Sequence, residues 1–225
     1  MKWQVKYALE NIRQESGVIS AEHAGGDAIR ISVREQPDVL AVISDTYKMD
    51  AELAARYYEQ WPEMDFLCGY RKECVWEGGA ITFLEDKPVG WGSAGTLGSA
   101  VRQGSVRTAS HKAYFFAFRQ ILQAPYLREV HREFDRVFTV KMATGRSPRI
   151  GMILEYEPIA DAVRSLWDRF GAVDIAWNIH PNGWPTPEAI AAGQELGCKV
   201  NRPWFSRHSP SSGNSVSHTL LETAA

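Results

Sequence analysis

The chain has 225 residues, 44% of them hydrophobic and 23% charged, and a formal net charge of −2. That is enough apolar material for one large domain or two small ones, and far from the composition of a disordered chain. The three cysteines, Cys68, Cys74 and Cys198, include no CxxC pair and are odd in number, which argues against a disulfide framework and for a reducing, cytoplasmic setting.

No apolar run reaches the roughly 18 residues needed to span a bilayer. The opening stretch MKWQVKYALENIRQE lacks the unbroken apolar core of a signal peptide and reads as a helix, with Val5, Ala8, Leu9 and Ile12 on one face of 3–15. Ile29, Ile31 and Val33 alternate with small or polar residues over 28–33, the pattern of a half-buried strand. The more uniformly apolar DVLAVIS, 38–44, reads as a central strand. A helix over 50–61 carries Leu53, Tyr57 and Trp61 on one face, and strands are expected at 65–70 and 80–84.

Next comes GWGSAGTLGSA, in which Gly92, Gly95 and Gly98 are spaced GxxGxxG. This is neither a Walker A loop nor a dinucleotide fingerprint, and it reads as a flexible connector. Tyr114, Phe115, Phe118, Ile121 and Leu122 form a broad apolar stripe on a helix over 111–123. Strands are expected at 136–142, 150–156 and 173–179, with a helix over 158–170 and an Ala-rich helix over 187–196. The segment 206–225 is serine-rich and poor in apolar residues, so it is expected to be disordered and its His208 and His218 to carry no role.

Taken in order, 3–70 and 111–179 both read αββαβ. An offset of 111 pairs Pro37 with Pro148 and Asp50-Ala51 with Asp161-Ala162. The expected architecture is α/β, a mixed central sheet flanked by helices, with Rossmann-like or restriction-endonuclease-like layering. A single domain would cover 1–205, with possible halves at 1–70 and 111–180 joined by a Gly-rich segment, 71–110.

Four places could carry chemistry. The first is NIHPNGWPTPEA, 178–189, which reads as a strand end, a rigid turn and a capped helix start. Ligands gather beyond the carboxyl ends of strands in open α/β sheets, and helix N-termini offer N–H groups to anions. His180, Asn182, Gly183 and Thr186 are therefore candidate contacts for a phosphorylated ligand, although turn and cap chemistry explains each of them separately. The second is the carboxylate group Glu155 and Glu157, with Asp161 nearby, at a strand end where hard cations could find clustered oxygens. Acidic residues also suit a helix start for electrostatic reasons. The third is the glycine-rich stretch already described, whose backbone N–H groups could alternatively cradle a phosphate where no Cβ intervenes.

The fourth rests on Pro37-Asp38 and Glu85-Asp86-Lys87, which in their order resemble the PD-(D/E)XK nuclease signature. The resemblance implies Mg²⁺ held by Asp38 and Glu85, with Lys87 orienting the attacking water. The intervening 46 residues and the Pro88 that follows depart from the family's pattern, whose motif sits on neighbouring hairpin strands.

Residues 101–149 hold ten Lys or Arg against three carboxylates, a local excess suited to phosphates or nucleic acid unless the rest of the fold neutralises it. The leading expectation is thus an α/β domain binding a nucleotide, another phosphorylated molecule or nucleic acid. The alternatives are a Mg²⁺-dependent nuclease and a non-enzymatic assembly subunit whose surplus tryptophans meet a protein partner or another copy.

Overall fold

A computed structural model describes residues 1–71, 74–125 and 127–201; the expected tail at 206–225, with His208 and His218, lies outside them. The chain is mixed α/β and divides into two compact units, Met1–Lys112 and the part from Ala113 onward. Seven α-helices flank its sheets among the described residues, and no helix is long and apolar enough to cross a membrane.

In the first unit, α1 (Trp3–Ile12) is followed by the meander β1 (Val18–Gly25), β2 (Ala28–Val33) and β3 (Val39–Ser44). Then come β4 (Lys48–Met49), α2 (Ala51–Gln60), β5 (Phe66–Gly69), β6 (Val75–Trp76), α3 (Gly78–Asp86), β7 (Gly90–Gly92) and α4 (Ala94–Gln103). The main sheet has the order β1-β2-β3-β5-β7, antiparallel from β1 to β3 and parallel from β3 to β7. This rules out an all-parallel, doubly wound sheet. Val5, Leu9 and Ile12 of α1 and Leu97 and Val101 of α4 pack with Ile29, Ile31 and Ile43 on one face. Ala54 of α2 and Ile81 and Leu84 of α3 pack with Leu40, Val42 and Leu67 on the other. Each such fully buried valine, leucine or isoleucine side chain stabilises the fold by about 1.5–3 kcal/mol.

The second unit runs α5 (Lys112–Leu122), β8 (Leu127–Phe134), β9 (Val137–Met142), β10 (Arg149–Ile153), α6 (Ala160–Phe170), β11 (Ile175–Asn178), α7 (Pro187–Glu195) and β12 (Lys199–Asn201). Its sheet has the order β8-β9-β10-β11-β12, with the same change from antiparallel to parallel at the middle strand. α5 covers one face through Tyr114, Ala117 and Ile121. α6 lies so close to the other face that a Cβ on Gly151 would meet Leu166 Cδ2 at 2.7 Å.

The two sheets share one register. Ala28 faces Val42 as Val137 faces Gly151, His23 faces Ile29 as Arg132 faces Phe138, and Phe66 faces Gly90 as Ile175 faces Lys199, each 109 residues on. Helix α7 likewise starts and stops 109 residues after α3. The repeat is therefore αβββαβαβ at a period of 109, and the expected offset of 111 is corrected by two residues.

Three further expectations change. The segment 80–84 is helical, because Ala80, Ile81 and Leu84 bury one side of α3 and a short apolar run does not by itself separate helix from strand. The glycine-rich stretch forms β7 and α4, with Ser93 capping the helix through Thr96 N and Gly104 closing it at φ 65°. Residues 71–110 thus complete the first unit rather than link two halves, and the division falls at the first residue of α5.

Candidate functional site

The corner after β11 is built almost entirely from its own hydrogen bonds. Asn178 is fully buried; its Oδ1 accepts from His180 N at 3.1 Å and its Nδ2 donates to the Glu155 carbonyl at 3.0 Å. The N–H groups of Gly183, Trp184 and Thr186 donate to the carbonyls of His180, Tyr156 and Pro158 at 3.0, 2.8 and 3.1 Å. Asn182 N reaches His180 Nδ1 at 3.3 Å. Gly183 is required sterically, since a Cβ there would lie 2.5 Å from Asn178 Nδ2 and 2.6 Å from the Glu155 carbonyl oxygen.

Thr186 caps α7 by accepting from Ala189 N at 3.2 Å, and Glu188 folds its carboxylate onto its own backbone N–H and the Thr186 hydroxyl, which hold it below the usual carboxylate range. The groups expected to cradle a phosphate at His180, Asn182, Gly183 and Thr186 are thus largely taken up within the chain, and Glu188 supplies the helix end with an anion of its own.

Asp38, Glu85 and Lys87 are exposed and lie at the amino edge of the first sheet. Asp38 precedes β3, Glu85 sits on α3, and Lys87 follows α3 with its ammonium 5.8 Å from the Tyr58 ring centroid. β5 separates β3 from β7, so the structure does not bring these residues together on neighbouring hairpin strands. Glu155 and Glu157 are exposed after β10. Among the described residues no group of three or more His, Cys, Asp or Glu side chains is arranged to hold a metal ion.

Much of the basic segment is neutralised where it stands. Arg102 pairs with Glu15, Arg107 with Asp65, Arg136 with Asp135 and Arg149 with Glu133.

The second unit has a cavity of about 400 Å³ at the carboxyl end of β10. Its origin is the strand lengths. β9 starts at Val137, opposite Gly151, so β10 runs on without that neighbour, and Tyr114 of α5 and residues of α6 both line the space beyond the start of β9. Met152 N is held instead by the Arg136 carbonyl at 2.8 Å, in the β8–β9 turn. β10 is also where strand direction changes, the kind of place at which open sheets form ligand crevices.

Tyr114, Arg136, Glu155, Asp161, Ser165, Arg169 and Phe170 line this space, together with apolar side chains. The Arg136 guanidinium lies 4.9 Å from the Tyr114 ring centroid and 5.6 Å from that of Phe170. It donates to Asp135 Oδ2 from Nη2 at 2.8 Å and from Nε at 3.2 Å, leaving Nη1 without a hydrogen-bond partner among the described residues. Burial opposes the charge on Arg136, but Asp135 beside it more than offsets this and the group stays protonated. Burial also pushes the Tyr114 phenol up, so it remains a neutral hydroxyl at physiological pH.

The equivalent place in the first unit has diverged. Asp27 stands where Arg136 does and binds Lys2 Nζ at 2.8 Å, while Tyr57 donates to Ser44 Oγ at 3.1 Å. Of the cavity residues, the sequence points to Glu155 and Asp161 as a carboxylate group and to Tyr114 as core. Arg136 and Asp135 were legible only as charges in a turn, since their role depends on where β9 stops. No protein-family model, curated protein or solved structure matches the chain.

Proposed function

We propose that the chain is a binding protein whose second unit takes a small molecule carrying a phosphate or similar anion on an apolar or aromatic body. The observation that supports this most is Arg136. It is fixed by Asp135 and set against two aromatic rings, with one nitrogen unpartnered among the described residues, at a cavity where the sheet changes direction. A guanidinium held in this way loses little freedom on meeting an oxyanion. Arg169 adds a second positive charge, and Met152, Leu166 and Phe170 offer apolar surface to the body of the ligand. The volume is within the range of small-molecule sites.

This keeps the expected strand-end position and moves the site from the corner at His180 to the end of β10. The nuclease alternative gains no support from Asp38, Glu85, Glu155 or Glu157, and Mg²⁺ has no part in the reading. Calorimetric titration with phenyl phosphate, a nucleoside monophosphate and inorganic phosphate tests it. Saturable binding by the first or second, weakened at least tenfold by Arg169→Gln and by raised salt, is expected. Binding by none of the three, or undiminished binding by the variant, overturns it.

A further inference from the structure

A second surface, in the first unit and independent of the cavity, has a different chemistry. Trp3 and Tyr7 project from the start of α1, Tyr47 follows β3, and Tyr70 and Arg71 follow β5. The Trp3 ring meets Tyr7 edge-on at 6.3 Å and Tyr70 at 5.7 Å between centroids. Arg71 lies against two of these rings, 4.1 Å from the Tyr47 centroid and 5.3 Å from that of Trp3. Its Nε donates to the Asp45 carbonyl at 2.5 Å and its Nη1 to the Tyr47 hydroxyl at 2.7 Å. Trp3, Tyr7 and Tyr47 are nevertheless 44%, 50% and 60% exposed, so core packing does not account for them.

Among the described residues the charge on Arg71 is also unbalanced. Lys2 pairs with Asp27 and Lys48 with Glu77, but Arg71 has no carboxylate partner among the described residues and its Nη2 makes no hydrogen bond there. The repeat supports a use for this corner. At a displacement of 109, Tyr156 and His180 repeat the pair of Tyr47 and Arg71, with ring centroids 5.6 Å apart and Tyr156 61% exposed.

We infer that Trp3, Tyr7, Tyr47, Tyr70 and Arg71 form a docking surface for a protein partner that inserts an aspartate or glutamate flanked by apolar side chains. Trp, Tyr and Arg are the residues that dominate protein–protein hot spots. The fixed guanidinium is the element that selects a carboxylate. A nucleic acid would need several lysines or arginines along a track, whereas among the described residues the nearby lysines Lys2, Lys6 and Lys48 are already paired.

The test uses the full chain and a displayed library of 12-residue peptides, half with a central Asp or Glu and half with Asn or Gln. Enrichment of acidic peptides with apolar neighbours is expected. Affinity for the best peptide should fall at least tenfold with Arg71→Gln, with Tyr47→Ala and when its acid is replaced by the amide. Arg71→Lys, which keeps the charge but loses the planar fork, should also weaken binding, while circular dichroism shows each variant folded. Enrichment indifferent to the acid, unchanged binding by Arg71→Gln, or a library yielding no binder overturns the inference. So does binding of a single-stranded oligothymidylate that Arg71→Gln abolishes, which would assign the surface to nucleic acid. Phenyl phosphate binding at the other unit's cavity is read separately and neither outcome decides the other.

Discussion

Asp65 and Asp174 perform one task in the two units. Asp65 Oδ2 accepts from Leu40 N at 2.8 Å, and Asp174 Oδ2 accepts from Arg149 N at 2.6 Å. Their backbones repeat the relation as well, with Asp65 N donating to the Leu40 carbonyl and Asp174 N to the Arg149 carbonyl. Each aspartate therefore ties the start of the third strand to the loop that leads into its parallel neighbour, and so fixes the register at the place where the sheet changes direction. Few residue identities survive between the units, but this clip does.

The two clips should differ in strength because their surroundings differ. Asp65 is 8% exposed and also pairs with Arg107 at 2.7 Å, whereas Asp174 is exposed. Asp65→Ala leaves a buried donor unsatisfied and should cost about 1–3 kcal/mol, while Asp174→Ala, whose donor water can reach, should cost about 1 kcal/mol or less. Urea unfolding followed by tryptophan fluorescence measures both. Equal losses would show that burial does not set the strength of the clip.

Asp135 and Arg136 allow a sharper test, because Arg136 lines the cavity and Asp135 holds it there. Asp135 is 6% exposed and the Arg136 side chain 21% exposed, so Asp135→Ala strands a largely buried guanidinium and should cost about 3 kcal/mol. Replacing both, as in Asp135→Ala with Arg136→Met, removes the stranded charge and should recover most of that loss. A double variant no more stable than the single one would mean that the turn depends on Asp135 for something other than neutralising Arg136.

The parts of the fold that were legible in the sequence are those whose pattern is set by one buried face. Ile29, Ile31 and Val33 gave β2 its limits because alternation is unambiguous over six residues. The edge strands β1 and β8 are not legible in this way, since they expose polar side chains such as Glu22, His23, Glu129 and His131 and have little apolar rhythm. In α3 the five residues AITFL at 80–84 fit either period, so their sequence alone reads as a strand. The corner at 178–189 is legible as strand, turn and capped helix, with Thr186 as its cap, because its signals are local. Whether its donors were free was a tertiary matter, decided by carbonyls of Tyr156 and Pro158 more than twenty residues earlier in the chain. The cavity depends on the relative lengths of β9 and β10, which no local pattern records.

Glu133 gives the fold a dependence on pH that can be worked out in sign. Burial opposes its ionisation, but hydrogen bonds from Arg149 and Thr139 outweigh this and hold its carboxyl below the usual range. Arg149 Nε donates to it at 2.8 Å, and the same guanidinium ties the Phe170 carbonyl through Nη2 at 2.8 Å, so the interaction joins β8, β10 and the end of α6. A group whose folded pKa is depressed contributes stability that is fully present above its unfolded pKa, about 4.3 for glutamate, and is lost as pH falls through the lower folded value. The wild-type chain should therefore lose stability on acidification below about pH 4.3, and Glu133→Gln should lose less over that interval while being less stable at pH 7. Urea midpoints measured at pH 7, 5, 4 and 3 for both proteins check this. Parallel curves would show that Glu133 does not contribute to acid sensitivity, and that Arg149 braces the end of α6 through its carbonyl bonds alone.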